Sequence, residues 1–170
     1  WVDGAKHSER GRFVIQGVSV YEGEFRNGEM EGQGVRRWED GRVYAGQFHD
    51  GEMHGKGVWT HPSGEKYEGE FACNRRHGQG KLITPNLTYR GGFKQHRFHG
   101  PGVLLHSSRD FMRGYFEDNT LSGNGDGWQE MVGRYIGEWK GGIPHGNGRF
   151  LSAAPGCEVI EATDGLRLSI

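Results

Sequence analysis

The sequence predicts an all-β chain. The expected form is a single-layer antiparallel β-meander, a solenoid-like array of β-hairpin repeats that is elongated and curved. Three observations predict it. Similar stretches begin at Tyr21, Tyr44, Tyr67, Tyr89, Met112 and Tyr135, so the repeat is 23 residues, shortened once to 22. Glycine recurs at the third, twelfth and fourteenth places of each stretch, and an aromatic at the fifth. Only 33% of the chain is hydrophobic, while 12% is aromatic and 32 residues are glycine. That leaves too little aliphatic matter for one large core, and too many rings for disorder.

Each repeat reads as a hairpin. In "YEGEF" the alternation puts Tyr21, Gly23 and Phe25 on one face and Glu22 and Glu24 on the other. Asn27-Gly28 follows, and Asp50-Gly51 stands at the same place in the next repeat. Such pairs favour type I′ turns, which need positive φ at both central residues. A second strand runs on through Gly32 and Gly34. Asp40-Gly41 and Ser63-Gly64 then mark a second turn. Two strands and two turns per repeat give about a dozen strands and little or no helix. A one-layer sheet must build its core from its own side chains. Glycines at fixed places would let the rings lie on the backbone, with one side of each ring left wet.

The predicted organisation has three parts. Residues 1–20 form a degenerate half-repeat or cap, in which Gly11 falls one residue late. Residues 21–157 hold six repeats. Residues 158–170 form a degenerate repeat whose Leu166, Leu168 and Ile170 alternate like a strand. A terminal apolar strand is a cap or an edge for a second chain.

"YEGEFRNGEMEGQG", "YAGQFHDGEMHGKG" and "YIGEWKGGIPHGNG" resemble the MORN repeat (membrane occupation and recognition nexus), whose pattern is Y-x-G-x-[FW]-x-x-G-x-x-x-G-x-G. Asn74, His96 and Asn119 stand where the pattern has its turn glycine. The resemblance implies a scaffold in a cytoskeletal or ciliary (axonemal) assembly in the cytoplasm. It implies partner helices or peptides held along the sheet and, in some relatives, end-to-end pairing, here through 158–170. It also implies phospholipid binding in some members; in certain lipid kinases and lysine methyltransferases such arrays precede a catalytic domain, and none is expected to follow here, where about twenty residues lie beyond the last match.

Net charge is −1, from 21 basic and 22 acidic residues that are interspersed, which gives no electrostatic footprint for nucleic acid. Cys73 and Cys157 lie more than three repeats apart. At sheet spacing that is about 35 Å, beyond disulfide reach. Asn86-Leu87-Thr88 has the form of a glycosylation sequon and is expected to be a turn. His54, His77, His99 and His145 share the eleventh place of their repeats. Equivalent places are about 9.6 Å apart, two strands, so these rings cannot converge on one metal ion. No cofactor or metal is predicted. Glu22/Glu24 and Glu68/Glu70 are acid pairs on an open face, without the pocket that acid–base work needs.

Partner contact is expected on the aromatic face. Its framework rings are Tyr21, Phe25, Tyr44, Phe48, Tyr67, Phe71, Tyr89 and Phe93, and the rings outside the pattern are Trp38, Trp59 and Trp128. The alternative is a phosphoinositide headgroup site at Arg36, Arg37, Arg75 and Arg76. A regulatory fragment of a longer enzyme is a further alternative.

Overall fold

The computed structural model describes residues 9–130, 132–153 and 160–162. Among these, every regular element is a β-strand. The chain divides into two compact units, Trp1–Thr84 and Pro85–Ile170. Unit one holds β1 (Glu9–Ile15), β2 (Ser19–Arg26), β3 (Glu29–Trp38), β4 (Val43–His49), β5 (Glu52–Thr60), β6 (Lys66–Ala72) and β7 (Arg75–Ile83). Unit two holds β8 (Leu87–Lys94), β9 (Arg97–His106), β10 (Phe111–Glu117), β11 (Thr120–Gln129), β12 (Gly133–Lys140), β13 (Ile143–Ser152) and β14 (Ile160–Ala162). Within each unit every strand pairs antiparallel with the next, so each is an open meander. The expected all-β meander is therefore present.

The hairpin turns are made as their residues require. Asn27/Gly28 have φ of 53° and 85°, and Asp50/Gly51 have 47° and 78°. Where the pattern's glycine is missing the same geometry persists: Cys73/Asn74 at 48° and 63°, Gln95/His96 at 49° and 71°, Asp118/Asn119 at 48° and 74°. Asn is among the residues that tolerate this region best. Here the two asparagines also bind outward. Asn74 Oδ1 accepts from the Met53 N–H at 2.9 Å, and Asn119 Oδ1 from the Phe98 N–H at 2.8 Å. Each ties its turn to the preceding hairpin.

The third- and fourteenth-place glycines fall in one cross-strand row. In unit one the row is Gly11, Gly23, Gly34, Gly46, Gly57, Gly69 and Gly80, one per strand. Gly11 is thus in register, not one residue late. In unit two the row is Gly91, Gly102, Gly114, Gly125, Gly137 and Gly148. The row exists because tyrosines lie on it. A Cβ on Gly57 would come within 2.5 Å of Tyr44 Cζ, and one on Gly80 within 2.6 Å of Tyr67 Cζ.

Each tyrosine hydroxyl then closes the arrangement on the backbone. Tyr21, Tyr44 and Tyr67 donate to the carbonyls of Glu24, Gln47 and Glu70 at 2.8, 2.8 and 2.9 Å. Neighbouring rings meet edge to face: Tyr21–Phe48 at 4.9 Å, Tyr44–Phe48 at 5.1 Å, Tyr44–Phe71 at 4.9 Å and Tyr67–Phe71 at 5.0 Å.

The twelfth-place glycine has a different task. Past the row, each hairpin's register slips at a β-bulge. Gly32, Gly55 and Gly78 there adopt φ of 70°, 57° and 56°. The fourth-place side chain folds over the bulge: Gln47 Oε1 accepts from the Lys56 N–H at 2.7 Å, and Glu70 Oε1 from the Gln79 N–H at 3.1 Å. Glu70 is therefore part of the bulge, not merely half of a solvated acid pair.

The repeat beginning at Met112 is built another way. Leu121, fully buried, takes the place of the missing tyrosine ring. Its methyls would lie 2.8 and 2.9 Å from a Cβ on Gly114 and on Gly125. Trp139, larger than the phenylalanine usual at the fifth place, reaches back over Gly125 and Gly127. Phe111 and Trp139 belong to neighbouring hairpins that otherwise keep the repeat's frame.

Two smaller expectations change, and others fall outside the described residues. The described strands number fourteen, because β1 and β14 extend the array. Leu87 and Thr88 of the sequon lie inside β8, so only Asn86 is in the connection. Cys73 is exposed, while Cys157 lies outside the described residues. The apolar strand expected at Leu166, Leu168 and Ile170, and most of 158–170, also lie outside them.

Candidate partner-binding face

The sheet's two faces differ in chemistry. On the ring face, Tyr21, Tyr44, Phe48, Tyr67, Phe71, Tyr89 and Phe93 are buried. The expectation that one side of each ring stays wet is corrected. A second tier of side chains covers them. Phe98 stacks on Tyr89 at 3.8 Å, and the Arg76 guanidinium lies over Tyr67 at 5.8 Å. The tenth place of the repeat supplies both residues, and its spacing was there to be read. Burial pushes the Tyr21 and Tyr89 hydroxyls up to about 12. Phe25 is only half-buried.

The tryptophans do not share one face. Trp38 pairs with Ser19 and Trp59 with Tyr44 and Tyr67, which sets both on the ring side. Trp38 has the Arg36 and Arg42 guanidinium groups at 4.9 and 5.2 Å, and Trp59 stacks on His61 at 5.8 Å. Both are half-buried. In β11, Gly127 pairs with Tyr135 while Trp128 pairs with Arg134, so Trp128 belongs to the opposite, outer face.

Nor do the four arginines converge. Arg36 and Arg76 pair with Tyr21 and Phe71, on the ring side, whereas Arg37 and Arg75 alternate to the outer side. Arg36 Nε donates to Ser19 Oγ at 3.0 Å, Arg37 reaches Glu22 at 3.4 Å and Arg76 reaches Glu65 at 2.8 Å. Arg75 is exposed.

The histidine column serves through its backbone. The carbonyls of His54, His77 and His145 accept from the hydroxyls of Tyr44, Tyr67 and Tyr135 at 3.3, 3.3 and 3.1 Å. A different trio, Glu31, His49 and Asp50, brings three ligand atoms within 4.8 Å of one another. Its carboxylate is already used: Glu31 Oε2 accepts from the Asp50 N–H at 3.1 Å, and that bond holds its pKa below the ordinary value. It reads as a turn clasp.

The outer face carries a trough in unit one of about 1110 Å³. The backbone of the glycine row is its floor. Glu22, Val35, Ala45, Val58 and Glu68 form one wall, and Gln33, Lys56, Glu70 and Gln79 the other. The floor is bare because every row glycine would direct a Cβ to the ring side. Nothing in the pattern of rings points to this trough. The signal was the glycine register across strands, which becomes visible only once the bulges are placed.

Unit two has the corresponding recess, about 480 Å³, lined by Gly114, Gly125, Gly137, Arg113, Asp126 and Arg134. Asp126 is buried. Arg134 grips it with Nε to Oδ1 and Nη2 to Oδ2, both 2.8 Å, and Arg113 Nη2 adds 3.1 Å. The Arg134 bonds, then the charge of both guanidinium groups, hold the carboxyl below its ordinary value.

The repeat built on these glycines is matched by the MORN repeat model at residues 21–41, 44–66, 67–88, 89–110 and 135–153. The chain belongs to the MORN repeat family. The matched residues pass over 111–134, the hairpin in which Leu121, with Trp139 from the next hairpin, stands in for a tyrosine. Among curated proteins, none matches this MORN chain. MORN repeats are interaction modules, for protein or membrane partners, and the ring lattice here is their framework.

Proposed function

We propose that this protein is a non-enzymatic scaffold that holds an extended segment of a protein partner across its strands, in the outer trough. The trough over the glycine row carries this reading. Its walls stand two residues apart along each strand, about 7 Å, which is narrower than a helix at about 10 Å. An extended chain therefore sits deeper than a helix would. Val35, Ala45 and Val58 offer it apolar contact midway along one wall. The burial of the framework rings supports the outer face over the ring face. Trp38 and Trp59 remain as flanking contacts on the other side. The setting, a cytoskeletal or ciliary assembly, is carried by the family resemblance alone.

The test is a photocrosslinking residue placed at Ala45 in one variant and at Trp59 in another, each expressed in cells. A discrete adduct from Ala45, lost when Val58→Arg is added, supports the trough. Adducts from Trp59 alone return the partner to the ring face and overturn the reading.

A further inference from the structure

The outer faces of the two units differ in charge. In unit one the cross-strand row beside the glycines reads Arg12, Glu22, Val35, Ala45, Val58, Glu68 and Lys81. Its end charges offset one another, and Glu22 is paired to Arg12 and Arg37, each at 3.4 Å. In unit two the same row reads Arg90, Val103, Arg113, Asp126, Ile136, Arg149 and, in β14, Glu161. Arg134 joins it through Asp126. Four arginines thus share the row with two acids, Asp126 and Glu161, and two of the four bind the buried Asp126 carboxylate. Arg113 and Arg134 share its Oδ2, which fixes both guanidinium groups side by side. Their side chains remain 64% and 40% exposed, so N–H donors are left for a ligand. Arg90 and Arg149 are exposed.

We infer that unit two's recess receives an acidic, extended segment of a protein partner, one carboxylate seated on the Arg113–Arg134 pair and another on Arg90. This rests on the reading of the outer trough as a partner groove and names the chemistry it selects. Two features favour a peptide over a lipid surface. The paired guanidinium groups line a recess floored by glycine backbone, which a slender chain reaches and a flat surface does not. Arg90 and Arg113 are two strands apart, about 9.6 Å. A polyproline-like chain returns to the same side every three residues, about 9.3 Å. Acidic residues at every third position meet both seats. The wall opposite offers Asn124, and Glu138, its cross-strand partner there, lies against Gly146.

The experiment titrates the full chain into a fluorescent peptide of repeated Glu-Pro-Pro, with repeated Gln-Pro-Pro and Lys-Pro-Pro as controls. Anisotropy is read at low and high salt. The Glu peptide alone should bind, more weakly as salt rises. Arg90→Glu touches a residue with no side-chain bond among the described residues, so the fold should survive, and it should weaken binding about tenfold. Arg113→Gln/Arg134→Gln should weaken it at least as much. Vesicles containing phosphatidylserine form the second arm. Flotation with vesicles that these variants abolish, without peptide binding, overturns the inference in favour of a membrane. Equal binding of the three peptides, lost with Val58→Arg, overturns the charge selection and keeps the groove. No peptide or vesicle binding by wild type overturns the inference as well.

Discussion

The repeat at Tyr44 and the repeat at Met112 solve one packing problem in two ways. In the first, a single ring lies over two glycines, and its hydroxyl bonds to the carbonyls of Gln47 and His54. In the second, Leu121 and Trp139 divide the same space between two hairpins, and neither bonds to the backbone there. The Trp139 Nε1 is buried with no acceptor among the described residues. The glycine row persists in both, so the need for bare backbone is set by the close approach of any large side chain. The tyrosine adds a specific lock to it.

The comparison predicts a graded response. Gly57→Ala drives a Cβ into the Tyr44 ring, which neighbours hold on both sides, and should cost about 3 kcal/mol. Gly125→Ala is less crowded: its Cβ meets Leu121 Cδ2 at 2.9 Å, Trp139 Cδ1 at 3.0 Å and the Arg113 carbonyl oxygen at 3.1 Å. It should cost about 1 kcal/mol. Urea unfolding followed by tryptophan fluorescence checks both, and equal losses would break the distinction. Asp126→Asn weakens three charge-assisted bonds in unit two and should cost about 2 kcal/mol, with unit one's crosslink from Ala45 unchanged. Tyr44→Phe removes only the hydroxyl and should cost about 1 kcal/mol in the same unfolding assay.

The smallest effects come from pH. The Asp126 pKa is lower in the folded chain than its ordinary 3.8. Its stabilisation is therefore complete above that value and is lost as pH falls through the folded one. Asp126→Asn should flatten the acid limb of the stability profile. At the alkaline end, Tyr21 and Tyr89 ionise at about 12 in the fold, against 10.0 ordinarily. Their contribution is present below pH 10.0 and declines as pH rises toward about 12. Tyrosinate absorbance should rise late and together with unfolding. An early rise at ordinary pH would show that the rings are wet.

Much of this was legible in the residues themselves. Asn27-Gly28 and Asp50-Gly51 demand I′ turns wherever they occur, because the requirement is local to two φ angles. The 23-residue recurrence of Tyr21 at Tyr44 and Tyr67 makes each hairpin repeat the last, so strand order follows from the sequence alone. The tertiary structure decided what depends on register. It placed Gly11 in the row, turned Trp128 away from Trp38 and Trp59, and joined Arg113, Asp126 and Arg134 across three strands. Each bulge adds two residues to one strand only, so every pair beyond it differs from the one a plain two-residue hairpin would make. A pattern read along the chain carries no count of such bulges. Which residues sit opposite one another, and so which charges meet over the glycine floor, is settled only when the strands are paired.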